Sequence, residues 1–125
     1  MFLTWKLLSK IFLVTIISFC LLPQNLRADT AETMPLSQTE IKRELEAMPE
    51  WQQEAQTIRR TFEFKNFVEA IAFVDKLVEP AEAAGHHPDI EISYNKVTIS
   101  LTTHDAGGLT QQDFDLAQTI SGLAK

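Results

Sequence analysis

Residues 90–101 read IEISYNKVTISL: Ile90, Ile92 and Tyr94 alternate with Glu91 and Ser93, and Val97, Ile99 and Leu101 alternate with Thr98 and Ser100. A period of two sends successive side chains to opposite faces of a pleated strand, and β-branched residues suit that surface. Two such runs separated by Asn95-Lys96 predict a β-hairpin with a two-residue loop. In that register Tyr94 faces Val97 and Ile90 faces Leu101. Extended past the strand ends, it sets His87 opposite His104. Opposed Cα atoms lie about 4.5–5.5 Å apart, so the chain's three histidines, His86, His87 and His104, are expected at one end of the sheet.

Toward the N-terminus the same alternation recurs. Ile58, Arg60, Phe62 and Phe64 face one way and Arg59, Thr61, Glu63 and Lys65 the other, with Trp51 to Ala55 as the partner strand. Between the strand pairs the period changes. Phe67, Ala70, Ile71, Val74, Leu77, Val78 and Ala81 recur at spacings of three and four, the stripe of a core-facing helix. Gly85 is its natural C-terminal cap. Pro80 lies within it and, lacking an N–H, is predicted to kink the helix and re-aim Glu82. A first helix is expected over Thr39 to Met48, and a last one carries Phe114, Ala117, Ile120 and Leu123. Ser37 with Glu40, Asn66 with Glu69 and Thr110 with Asp113 each place a capping side chain three residues before an acid. Leu36 with Ile41 and Leu109 with Phe114 add hydrophobic staples. The order α-β-β-α-β-β-α predicts an α+β fold, a four-stranded antiparallel sheet with three helices on one face.

The ends of the 125-residue chain differ in character. Residues 1–28 hold Lys6, Lys10 and Arg27, no acid, and the apolar run Ile11 to Leu22, which is short for a membrane span. With Ala28 before Asp29 this reads as a cleavable signal peptide. It is followed by a polar lead-in over 29–36 and one domain over 37–125. Export to a periplasm or the medium is therefore expected. The alternatives are a retained membrane anchor, or a cytoplasmic protein if translation starts at Met34. Without the leader, 8 basic residues face 17 acidic ones, a net charge of −9. Such a body is repelled by phosphate backbones, which argues against direct nucleic-acid binding. The single cysteine, Cys20, falls in the leader, so the body has no disulfide.

The histidine end of the sheet also attracts carboxylates. Glu82 sits one turn before His86, and Asp113 heads the last helix after the Ala106-Gly107-Gly108 turn. Three histidines could hold zinc with an open position. Adjacent His86 and His87 point apart in an extended chain, however, and metal sites more often use a helical pair four apart. Acid–base chemistry suits the imidazoles better, because they titrate near neutrality. No glycine-rich phosphate loop or nucleophile elbow is present.

The same residues carry a family resemblance. Glu82, three residues, His86-His87-Pro88, five residues, Tyr94, nine residues, His104, eight residues and Asp113 resemble the signature of pterin-4a-carbinolamine dehydratases at every position. FEFKNF at 62–67, YNKVTISLTTH at 94–104 and GLTQQDFDLA at 108–117 match too, so the likeness runs from about Leu36 to the end. It implies the same sheet-and-helix fold, and dehydration of a 4a-hydroxytetrahydropterin to a quinonoid dihydropterin and water. It implies the catalytic set His86, His87 and His104, with His86 and His104 as the acid–base pair and His87 orienting the pterin or serving its opposite face. Glu82, Pro88, Tyr94 and Asp113 then support the site or the substrate. No metal or redox cofactor is implied, since only protons and water move. The implied partners are a second copy, as homodimer by sheet extension or homotetramer, and a pathway served by aromatic amino-acid hydroxylases. The competing expectation is a non-catalytic dimerisation or pterin-binding module on the same fold.

Overall fold

The computed structural model describes residues 33–125; the expected leader and the first half of the lead-in lie outside them. Helix α1 spans Gln38–Ala47, and strands β1 (Gln52–Glu54) and β2 (Thr57–Glu63) follow. Two helical segments, α2 (Phe67–Lys76) and α3 (Val78–Ala84), lead to β3 (Asp89–Ser93) and β4 (Lys96–Leu101). A short 3₁₀ turn, His104–Ala106, precedes α4 (Gln111–Leu123). The strands form one antiparallel sheet in the order β1-β2-β4-β3. The α+β architecture expected from the alternating patterns is the one observed.

The patterns explain the layers, except that Phe67, Ile71 and Val78, expected on the core-facing stripe of the middle helix, are exposed. Ile58, Phe62, Val97, Ile99 and Leu101 share the inner face of the sheet and are buried against Ile41, Phe73, Leu77, Phe114 and Ile120 of the helices. The outer face is polar: Arg59 reaches Glu54 at 3.4 Å and Glu91 at 3.0 Å, and Thr61 meets Thr98 at 2.9 Å. The helix starts also follow their signals. Ser37 and Glu40 form a reciprocal capping box, and Asn66 Oδ1 accepts the Glu69 N–H at 2.9 Å.

Two expectations are corrected. The hairpin loop is Tyr94-Asn95, not Asn95-Lys96: Ser93 pairs with Lys96, Ile92 with Val97 and Ile90 with Ile99. Both registers keep the same side chains on the same faces, so alternation cannot separate them. The choice falls to Asn95, whose Nδ2 donates to the Phe64 carbonyl at 2.7 Å while its own carbonyl accepts the Phe64 N–H at 2.8 Å. That double clamp fixes the turn to the end of β2. The second correction is that the long middle helix is two segments meeting at Leu77. Pro80 offers no N–H to the carbonyl four residues back, at Lys76, which is where α2 stops. Within α3 the proline lies in the first turn, where no intrahelical donor is needed.

Candidate active site

The chain enters the site through the end of α3. Gly85 takes the left-handed conformation (φ 58°) that closes the helix, and the His86 N–H returns to the Ala81 carbonyl at 3.1 Å. The short His86-His87-Pro88 link then runs straight into β3, and its two imidazoles diverge. The His86 side chain turns inward and is only 11% exposed, with Nε2 2.7 Å from Asp113 Oδ1. His87 turns to solvent, 62% exposed, with Nε2 2.8 Å from Glu82 Oε1.

Asp113 is fully buried, in the first turn of α4. Sequence explains its placement: Thr110 and Asp113 form a capping box whose tighter half is the Thr110 N–H donating to Asp113 Oδ2 at 2.8 Å. The same Oδ2 accepts the Thr103 hydroxyl at 2.9 Å. A carboxylate near a helix N-terminus is also favoured by the helix dipole. One oxygen of Asp113 is thus occupied by α4 and Thr103, and the other is left for His86. An ionised carboxylate can only accept, so His86 holds its proton on Nε2 and Nδ1 is left as the acceptor of the ring.

Thr103 is itself pinned by bonds between its backbone and Gly108 at 3.2 and 3.4 Å. The next residue, His104, opens the 3₁₀ turn and is exposed. His86, Asp113, Thr103 and His104 therefore form one connected unit. The expected direct pairing of His87 with His104 is not observed. In the true register the position opposite His87 is Thr102, and His104 has already left the strand. Asp113, expected to support the site or the substrate, holds His86 and reaches the turn only through Thr103. Pro88 is half-buried in the link before β3. Tyr94 lies at the other end of β3, the length of the strand away from His87, and is 69% exposed. Sequence reasoning missed Thr103, because a threonine closing a Thr-Thr strand end has no signal that separates it from an ordinary β residue. Among the described residues no group of three His, Cys, Asp or Glu side chains is placed to share a metal ion.

The family model described as Pterin 4 alpha carbinolamine dehydratase matches residues 34–123. A relative in Picosynechococcus sp. is 68% identical over 70% of this chain and 96% of its own length. Another in Cyanothece sp. is 64% identical over 72% of this chain and 93% of its own. Each carries the provisional name pterin-4-alpha-carbinolamine dehydratase. Among solved structures, a transcriptional coactivator/pterin dehydratase from Brucella melitensis superposes with a TM-score of 0.70 at 32% identity, covering 73% of this chain and 99% of that one. A pterin dehydratase-like protein identified as a RuBisCO assembly factor in the alpha-carboxysome superposes with a TM-score of 0.50 at 25% identity, over 59% of this chain and 86% of that one.

Proposed function

This chain belongs to the pterin 4 alpha carbinolamine dehydratase family, and on that premise we propose that it dehydrates a 4a-hydroxytetrahydropterin with its own histidines as acid and base. In the reaction the C4a–O bond breaks as the departing hydroxyl takes a proton. N5 loses a proton, and the electrons of the N5–H bond become the second bond between C4a and N5. Water and the quinonoid dihydropterin leave, and the enzyme's proton count is unchanged.

The observation that carries this reading is the buried Asp113–His86 pair at 2.7 Å. With Nε2–H committed to Asp113, Nδ1 of His86 is an acceptor suited to the N5 proton. The carboxylate behind it stabilises the imidazolium that results, a role seen wherever a buried acid backs a catalytic histidine. His104, exposed on the adjoining turn, is the donor to the hydroxyl. Once the product leaves, a proton passed from His86 to His104 through solvent resets both groups. His87, steadied by Glu82, orients the pterin edge. The pathway served is one that forms such carbinolamines, as aromatic amino-acid hydroxylases do.

A second reading, a non-catalytic assembly module, is favoured by two observations. One is the likeness to the RuBisCO assembly factor. The other is the exposed apolar set Phe67, Val68, Ile71 and Val78 along α2 and α3. Turnover separates the readings: the full chain should accelerate dehydration of 4a-hydroxytetrahydropterin well above its spontaneous rate, whereas a pure scaffold would leave that rate unchanged. Self-association is part of the proposal, as an edge-to-edge homodimer able to pair into a tetramer. So is export directed by residues 1–28, which N-terminal mass measurement of the protein from its native host would test.

A further inference from the structure

We infer that Thr103 is a positioning residue that holds the Asp113 carboxylate with one oxygen free for His86 and ties it to the turn carrying His104. Its hydroxyl has one proton and two close oxygen neighbours, Asp113 Oδ2 at 2.9 Å and Thr110 Oγ1 at 2.9 Å. The carboxylate cannot donate, so the Thr103 proton goes to Asp113 and the Thr110 hydroxyl points its own proton at Thr103. The Thr110 N–H fills the remaining approach to Oδ2. The donors run one way and end on a single oxygen, so Oδ1 faces only His86 Nε2. Buried side chains here have no unsatisfied polar atoms among the described residues. Removing the Thr103 hydroxyl would therefore open a gap in a closed arrangement.

The backbone of Thr103 adds the second half of the inference. Its N–H donates to the Gly108 carbonyl at 3.2 Å, and its carbonyl accepts the Ala106 and Gly108 N–H groups at 3.2 and 3.4 Å. These bonds form the base of the turn that begins with His104. One residue thus holds the support of the base from its side chain and the support of the acid from its main chain. Neither contact involves substrate, so loss should appear in kcat rather than in KM.

The activity arm of this inference rests on the proposed dehydratase reading; the ring-nitrogen arm does not. Full-length protein carrying Thr103→Val, which exchanges the hydroxyl for a methyl of similar size, should lose about 10–100-fold in kcat with KM nearly constant, the usual scale for a group that orients a reacting side chain. Thr103→Ser should stay close to wild type. In nitrogen-15 spectra of the imidazoles, neutral His86 of the wild type should carry its proton on Nε2, and Thr103→Val should shift the Nε2 resonance as the carboxylate it bonds loses its anchor. A wild-type His86 protonated on Nδ1 would overturn the inference whatever the variants do. So would a Thr103→Val protein with wild-type kcat and an unchanged His86 spectrum, or a Thr103→Ser protein as impaired as Thr103→Val. If wild type showed no turnover, the dehydratase reading would fail while the His86 spectrum still decided the role of Thr103.

Discussion

Tyr94 has a backbone φ of 53°, left-handed, in a residue that is neither glycine nor asparagine. A Cβ in that region meets the following carbonyl, at a cost of roughly 1–2 kcal/mol. The Asn95–Phe64 clamp overrides this by fixing the loop one residue earlier than local turn preference suggests. Because the side chain is 69% exposed, Tyr94→Gly sacrifices little packing. Glycine's extra chain entropy costs about 0.5–1 kcal/mol, so the variant should be more stable by up to about 1 kcal/mol, read from the urea midpoint. A lower midpoint would mean that Tyr94 is held by packing rather than strained by its turn. The hairpin was legible in the alternation of Ile90 to Leu101, but its register was not, because the deciding bond spans 31 residues. The His86–Asp113 bond spans 27. Sequence spacing brought both residues to the right end of the sheet. Which carboxylate meets which imidazole depended on the direction the chain takes after Gly85, and the sequence pattern does not specify that direction.

Elements announced themselves wherever the signal was local. Each of the three acid-containing caps forms, because the capping side chain and the amide it meets are separated by one turn. Pro80 also acted locally and divided the middle helix. Less legible was what anchors the far end of α4. There Ser121 Oγ donates to the Ala117 carbonyl at 2.8 Å and accepts Trp51 Nε1–H at 2.9 Å and Arg60 Nη1–H at 3.0 Å. Trp51, just before β1, is 3% exposed and packs edge-on to Phe62 with centroids 6.2 Å apart. Ser121 therefore links α4 to the start of β1 and to β2. Ser121→Ala strands the buried indole N–H and should destabilise the fold by about 1–3 kcal/mol. An unchanged denaturation midpoint in that variant would show that water replaces the serine without loss.

Across the whole molecule the two sheet edges are unequal. β1 is three residues long and carries Gln52 and Glu54, with its turn at Ala55 in a left-handed conformation (φ 54°). β3 is five residues long, every one exposed, and Ile90 and Ile92 remain 40% accessible on the helix side. Short, charged edges resist pairing, and longer ones with apolar side chains invite it. The proposed dimer seam is therefore β3 against the β3 of a second copy, an arrangement that a two-fold axis closes. Sedimentation of the full chain at micromolar concentration should report a dimer or tetramer, and Ile92→Lys should shift it toward monomer. A wild-type monomer under those conditions would remove the seam. Four strands in an open sheet leave two unpaired edges; which of them would form the seam could not be read, since it depends on β4 inserting between β2 and β3.

The central claim is that the imidazole backed by Asp113 does the chemistry, and the turnover of His86→Ala full-length protein on 4a-hydroxytetrahydropterin tests it most directly. With folding verified by circular dichroism, turnover should fall about 10²–10⁴-fold relative to wild type, the contribution expected of a positioned acid or base. A folded His86→Ala protein that turns over substrate at the wild-type rate would contradict the account.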